Sequence, residues 1–139
     1  MEQVYYEGEC LCGSVNLKVK PKSKEFIVCH CKTCQTWNGG PQFAVPCGKD
    51  IEIKGEDKIS EFASSPWAVR GFCSKCGTHL YYKLNESGEC NVMLGVLNIH
   101  KEEELRLSVQ YFIDLKPSYY SLDSTSPTLT EKEILKMFS

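Results

Sequence analysis

The chain has 139 residues, a length that suits one domain with its own hydrophobic core and is short for two. Its 42% hydrophobic and 24% charged residues are ordinary for a soluble globular protein, and a formal net charge of −2 argues against broad affinity for nucleic acid. No apolar run approaches the length of a membrane span, and residues 1–7 lack the apolar stretch of a secretory signal. We therefore expect a cytoplasmic protein in a reducing environment that binds neither nucleic acid nor membranes.

Short β-strands, separated by turns rich in glycine, proline and cysteine, dominate the predicted elements. Most of them alternate polar and apolar residues, the pattern of a strand with one buried face. Two neighbouring strands flank a turn at residues 55–57, which predicts a β-hairpin there. In chain order the predicted strands cover residues 14–20, 26–28, 42–45, 51–55, 58–62, 69–72, 79–84, 90–97 and 108–113.

A short helix is predicted at the C-terminus. Thr130 and Glu133 fit a capping box ahead of the apolar residues Ile134, Leu135 and Phe138. Residues 101–104 are expected to add a short helical turn. Because the chain has no internal repeat, long linker or low-complexity tract, residues 1–139 are predicted to form a single, mainly β domain.

Seven of the nine cysteines fall into three short clusters. An odd number of cysteines and the expected reducing environment both argue against a disulfide framework and favour metal ligation. A closed zinc site takes four ligands, whereas a reactive one keeps a position open, so seven thiolates predict one site of each kind. The clusters are Cys10 with Cys12, Cys29 with Cys31 and Cys34, and Cys73 with Cys76.

The closed site is predicted from two cysteine pairs. Cys73 and Cys76 form a C-x-x-C-G zinc knuckle, which supplies two ligands and needs a second pair. Cys10 and Cys12, which also precede a glycine, are the natural complement. A redox role for C-x-x-C would require a βαβ setting, and none is predicted around residues 60–85.

The open site is predicted at Cys29, Cys31 and Cys34, which lie within six residues and can reach one metal ion. His30, between them, is expected to be a surface imidazole or one that supports the ligands. Cys47 and Cys90 are the candidates for a fourth ligand, although isolated cysteines in apolar segments usually behave as small buried hydrophobes. An iron–sulfur cluster is the alternative occupant, but this spacing matches neither common ferredoxin pattern, so zinc is preferred.

Three thiolates around one zinc ion predict thiol chemistry. They leave the site with a net charge of −1, which makes the metal a weak Lewis acid that is poorly suited to generating hydroxide. Such a site instead suits an exogenous thiol, which binds as a thiolate and remains nucleophilic.

The cysteine motifs resemble those of the glutathione-dependent formaldehyde-activating enzyme family, which includes a domain of centromere protein V. The resemblance spans about residues 8–123, and three cysteine motifs in the right order are highly specific. It rests on residues 8–15, 29–34 and 70–78, on Ser64 and Ser65, and on Lys116 and Pro117 with Tyr119, Tyr120 and Asp123.

The resemblance implies small antiparallel sheets organised by zinc, in a fold related to a Rab-binding chaperone and to methionine sulfoxide reductase B. It implies two zinc ions, a structural one held by both cysteine pairs and a catalytic one at Cys29, Cys31 and Cys34. The implied activity is that of a carbon–sulfur lyase that joins glutathione to formaldehyde as S-hydroxymethylglutathione. Another small thiol or another small aldehyde would give a similar adduct.

Two residues and one segment depart from the family pattern and bear on the substrate rather than on the metal: Gln35, Gln110 and residues 95–98. Arg70 and Lys116 are candidates to pair with the carboxylates of a peptide thiol, and Trp67 is a candidate for a wall of the binding site. Two other functions stay open, a glutathione carrier without turnover and a zinc-stabilised interaction module.

Overall fold

A computed structural model describes residues 5–99, 105–122 and 126–139. Within these ranges it contains twelve β-strands and two short α-helices, which confirms the prediction of a mainly β protein. The predicted helical turn at residues 101–104 lies outside the described residues. The strands are β1 (Tyr6–Glu9), β2 (Asn16–Val19), β3 (Glu25–Cys29), β4 (Gln42–Gly48), β5 (Ile51–Lys54), β6 (Ile59–Ser65), β7 (Ala68–Cys73), β8 (His79–Leu84), β9 (Cys90–Met93), β10 (Leu97–Asn98), β11 (Arg106–Tyr111) and β12 (Thr128–Leu129), and the helices are α1 (Lys32–Asn38) and α2 (Glu131–Lys136).

The strands form two sheets. The small sheet has four antiparallel strands in the order β10-β1-β2-β5. The large sheet has eight strands in the order β12-β11-β3-β4-β9-β8-β7-β6 and is mixed, because β11 runs parallel to both β3 and β12. It is therefore larger than the small antiparallel sheets that we predicted. The likeness to a Rab-binding chaperone and to methionine sulfoxide reductase B stays a prediction.

The hairpin predicted at residues 55–57 is wrong, because β5 and β6 belong to different sheets. Gly55 adopts φ +91°, and a Cβ placed on it would lie 2.1 Å from the carbonyl oxygen of Ser14. The chain passes this close contact, makes a 3₁₀ turn at Glu56–Lys58 and enters the large sheet. Another crossing between the sheets occurs where β9 ends at Met93 and a further 3₁₀ turn leads into β10.

The hydrophobic core takes residues from both sheets. Alternate residues of β1 and β2 are buried, so each strand turns one face inward. Burying one such aliphatic side chain stabilises the folded state by roughly 1.5–3 kcal/mol. The fully buried members include Val15, Val19, Val45, Leu80 and Val92.

The C-terminal helix is confirmed. The Thr130 side chain accepts a hydrogen bond from the Glu133 amide at 3.2 Å, and the Glu133 carboxylate accepts one from the Thr130 amide at 3.1 Å. These reciprocal bonds are the predicted capping box. None of the helices in the described ranges is long and apolar enough to cross a membrane.

Gly71 leaves room for an aromatic ring to cross β7. The buried Tyr81 on β8 lies over Gly71, and its hydroxyl donates a hydrogen bond to the Glu61 carboxylate on β6 at 2.6 Å. A Cβ on Gly71 would lie 2.4 Å from the ring. The absence of a side chain at this position therefore allows three adjacent strands to be joined.

We predict that Gly71→Ala lowers the free energy of unfolding by about 1–3 kcal/mol, because the buried Tyr81 ring must shift. Denaturant titration of the metal-loaded protein measures this loss. Gly95→Ala is the matched control, since its added methyl group meets no atom within 4 Å. Equal stability of the two variants would contradict the steric explanation.

Candidate metal centre

Four cysteines from two distant turns converge where the sheets meet. Cys10 and Cys12 lie in the turn between β1 and β2, on the small sheet, whereas Cys73 ends β7 and Cys76 lies in the turn that follows, on the large one. Their sulfur atoms all lie within 4.8 Å of one another, so this four-cysteine group can hold a metal ion. The two cysteine pairs meet as predicted from their spacing.

Two similar turns position these sulfurs. Gly13 and Gly77 adopt φ values of +78° and +79°, and their amides donate to the carbonyls of Cys10 and Cys73 at 3.0 and 2.8 Å. The amide of Leu11 also donates to the Thr78 hydroxyl at 3.1 Å, which links the two turns directly. A left-handed glycine in each turn therefore directs both sulfur pairs toward one point.

The sulfur spacing of the four-cysteine group fits zinc. Tetrahedral zinc with Zn–S bonds of about 2.3 Å requires sulfur atoms about 3.8 Å apart. The Sγ atoms of Cys10 and Cys12 are 3.6 Å apart, and those of Cys12 and Cys73 are 3.7 Å apart. Hydrogen bonding from Thr78 lowers the pKa of Cys76 to about 5, which favours the thiolate that zinc binds.

The three-cysteine group is built around the start of α1, a helix that we did not predict. Cys29 ends β3, Cys31 is the N-cap of α1, and Cys34 lies buried in its first turn. The Cys31 sulfur accepts a hydrogen bond from the Cys34 amide at 3.3 Å. The three sulfurs lie within 4.8 Å of one another and can also hold a metal ion.

The three thiols of this group differ in pKa. Hydrogen bonds from the thiols of Cys29 and Cys34 lower the pKa of Cys31 to about 2. Hydrogen bonding to the sulfurs of Cys31 and Cys34, together with burial, raises the pKa of Cys29. Cys31 is therefore the first of the three to be a thiolate.

No fourth cysteine, histidine, aspartate or glutamate joins this group within the described ranges. The two cysteines considered as a fourth ligand are buried away from it. Cys47 donates to the carbonyl of Val45 at 3.3 Å, and Cys90 donates to that of Gly88 at 3.7 Å. Both behave as the small buried hydrophobes that isolated cysteines usually are.

His30 is fully buried, with both ring nitrogens hydrogen-bonded. Because the amide group of Gln110 donates to Ser126, its oxygen accepts from Nε2 of His30 at 2.8 Å. Nδ1 then accepts from the Tyr120 hydroxyl at 2.6 Å. Burial also lowers the pKa of His30. The imidazole is therefore neutral at pH 7 and anchors Tyr120 rather than lying on the surface.

The Arg70 guanidinium lies in the buried wall of the three-cysteine group, where the side chain is 4% exposed. Both of its terminal nitrogens donate to the sulfur of Cys34 at 3.5 Å. Nε donates to the Ser64 hydroxyl at 2.9 Å, and Nη1 also donates to the Gln42 side chain at 2.8 Å. These bonds leave one of its five N–H groups for any further partner.

Trp67 and Lys116 each contact a tyrosine. The Trp67 indole donates to the Tyr82 hydroxyl at 3.2 Å, and the Lys116 ammonium lies 4.8 Å from the centre of the Tyr120 ring. Burial raises the pKa of both tyrosines. The Tyr82 ring lies 5.3 Å from the guanidinium carbon of Arg70, and Tyr120 is hydrogen-bonded to His30, so each predicted binding residue is one contact away from a residue that adjoins the three-cysteine group.

A cavity of about 430 Å³ lies along α1. Trp37 stacks on His79 with ring centres 4.5 Å apart and on Phe62 at 5.9 Å. Another cavity, of about 460 Å³ along α2, contains none of the predicted site residues. Residues lining the α1 cavity are Lys32, Thr33, Thr36, Trp37, Phe62, Ser64 and His79.

A chain of hydrogen bonds connects this cavity to Arg70 and fixes the tautomer of His79. Arg70 only donates, so the Gln42 oxygen faces it and also accepts from the Asn38 amide group at 3.0 Å. The Asn38 oxygen then accepts from Nδ1 of His79 at 2.7 Å. The lone pair of His79 is thus on Nε2. Sequence patterns could not reveal this chain, because it joins α1, β4, β7 and β8.

We predict different outcomes for cysteine substitutions in the two groups. Cys31→Ser should lose one zinc ion and keep the fold, since its group lies at one helix end. Cys73→Ser should lose the other zinc ion and lower the melting temperature by about 10 °C or more, because its group joins the sheets. Native mass spectrometry and thermal unfolding measure these effects. Global unfolding of the Cys31→Ser protein would contradict the division of roles.

Three comparisons place the chain among known proteins. The chain is 30% identical over 131 residues to an uncharacterized lyase of Schizosaccharomyces pombe, across 94% of this chain and 95% of the relative. The crystal structure of a Rhodobacter sphaeroides protein shares its fold, with a TM-score of 0.59 and 18% identity over 88% of this chain and 99% of the other. Residues 5–114 match the glutathione-dependent formaldehyde-activating enzyme family. The chain therefore belongs to that family, as its cysteine motifs predict.

Proposed function

We propose that this protein is a zinc-dependent carbon–sulfur lyase acting on glutathione adducts, such as S-hydroxymethylglutathione formed from glutathione and formaldehyde. Family membership and the lyase name of the yeast relative support this class of chemistry. The observation that carries the proposal is the three-cysteine group, which has, among the described residues, one donor fewer than tetrahedral zinc requires. We also propose that the four-cysteine group holds a second, structural zinc ion.

The residues around the three-cysteine group suit the capture of a thiol. Zinc bound by Cys29, Cys31 and Cys34 would supply a coordination position that favours the thiolate over the thiol. His30 is occupied by Tyr120 and Gln110, and so does not take that position. In the net reaction a sulfur–carbon bond forms, the carbonyl π bond breaks, and the thiol proton ends on the former carbonyl oxygen.

We propose that the peptide part of the thiol binds beside Trp67 and Lys116. The support is geometric. Trp67 contacts Tyr82, whose ring lies 5.3 Å from the guanidinium carbon of Arg70. Lys116 contacts Tyr120, which is hydrogen-bonded to His30 between Cys29 and Cys31. Arg70, the third predicted binding residue, has most of its donors already engaged. The α1 cavity is the alternative location, because its volume lies in the range of small-molecule sites.

Turnover is tested on the formaldehyde–glutathione equilibrium by NMR exchange spectroscopy. We expect the zinc-loaded protein to accelerate exchange above the spontaneous rate and Cys31→Ser to return it to that rate. Cys90→Ser is the matched control, since Cys90 is buried outside both cysteine groups. Saturable glutathione binding without acceleration would leave only a carrier function. Absence of glutathione binding would exclude both the lyase and the carrier.

The location of the thiol is tested by tryptophan fluorescence, because the chain has only two tryptophans. We expect glutathione to change the emission of the Trp37→Phe protein, in which Trp67 is the reporter. The Trp67→Phe protein should respond weakly. A response that is lost on Trp37→Phe and kept on Trp67→Phe would instead place the ligand in the α1 cavity.

A further inference from the structure

Arg70 is a buried positive charge with no carboxylate partner in the part of the chain that the structure describes. Burial of an ionised side chain is costly unless an opposite charge or several hydrogen bonds compensate for it. Arginine stays protonated in proteins, so this charge cannot be removed by loss of a proton. The compensation must come from the groups that surround the guanidinium.

The only titratable group to which Arg70 donates among the described residues is Cys34, through two N–H groups. Its other hydrogen bonds go to the neutral side chains of Ser64 and Gln42. Tyr82 adds a ring face 5.3 Å from the guanidinium carbon. The two terminal nitrogens of Arg70 thus contact one sulfur, and the neutral side chains hold the guanidinium in that orientation.

We propose that Arg70 is the counter-charge of the three-cysteine group, a positioning residue that acts through Cys34 rather than on the substrate. The inference rests on the proposal that this group holds zinc. Three thiolates and a divalent ion sum to −1, and the adjacent guanidinium brings the local charge to zero. Without it, a fourth, exogenous thiolate would have to enter a site that is already negative.

The shape of the arginine matters as well as its charge. A guanidinium can donate from two nitrogens to Cys34 and still reach Ser64 and Gln42, whereas a lysine ammonium is a single point of charge. Ligand-supporting hydrogen bonds of this kind typically change metal affinity by 10–100-fold when they are removed. The same bonds lower the electron density that the Cys34 sulfur can give to the metal.

The inference is tested by cobalt(II) titration of the whole protein against a competing chelator. We expect Arg70→Met to weaken binding at the three-cysteine group by about 10–100-fold and to leave the four-cysteine group unchanged. Arg70→Lys should fall between this variant and the wild type. Arg106→Met is the matched control, since Arg106 is the only other arginine and lies exposed on β11. Unchanged affinity in Arg70→Met would overturn the inference.

The absorption spectrum supplies a second readout that a purely structural role would not move. Loss of the hydrogen bonds to Cys34 should shift the sulfur-to-cobalt charge-transfer band to lower energy. A normal four-cysteine spectrum in the same sample shows that the variant is folded. If Arg70→Met does not fold, Arg70→Lys must still show a weakened three-cysteine group, and wild-type affinity and spectrum in that variant would reject the proposal.

These results are distinguishable from failure of the lyase function. Absent turnover with the predicted cobalt changes would remove the enzymatic proposal and keep the role of Arg70. Normal turnover of the wild type, together with an unaltered three-cysteine site in Arg70→Met, would remove the role of Arg70 and keep the enzymatic proposal. Added glutathione should also perturb the cobalt spectrum of the wild type at lower concentration than that of Arg70→Met, because the variant site is more negative.

Discussion

The convergence of two cysteine turns is the constraint on which the rest of the structure depends. Cys10 and Cys12 extend from one sheet, Cys73 and Cys76 extend from the other, and their sulfurs meet within 4.8 Å. This meeting point fixes the end of β7. Arg70 lies only three residues earlier on that strand, so the junction of the sheets also determines where the buried guanidinium lies.

Electrostatics connects that junction to the candidate active site. Arg70 extends from β7 to Cys34 on α1, and the polar chain through Gln42 and Asn38 holds it in place. On the other side, the neutral His30 anchors Tyr120. The three-cysteine group thus has the Arg70 guanidinium on one side and the neutral His30 on the other, an environment in which a thiolate can be accommodated.

Local patterns predicted some elements well and failed at others for identifiable reasons. The capping box at Thr130 is a short-range signal, and α2 begins where it was expected. Helix α1 was missed because cysteine and threonine at its start carry no helical periodicity, and its N-cap is the unusual Cys31. The hairpin at residues 55–57 failed because a close approach of Gly55 to Ser14, far away in sequence, sends β6 into the other sheet.

By itself, the sequence determined the division of the cysteines, because ligand spacing within a turn and the four-ligand requirement of zinc are local and chemical constraints. It also determined the family, through motifs in a fixed order. The tertiary structure alone decided what surrounds each sulfur. The Arg70–Cys34 contact joins residues that are 36 positions apart in the sequence, and the His30–Gln110 contact joins residues 80 positions apart. Such contacts depend on sheet order and register, which short-range patterns do not specify.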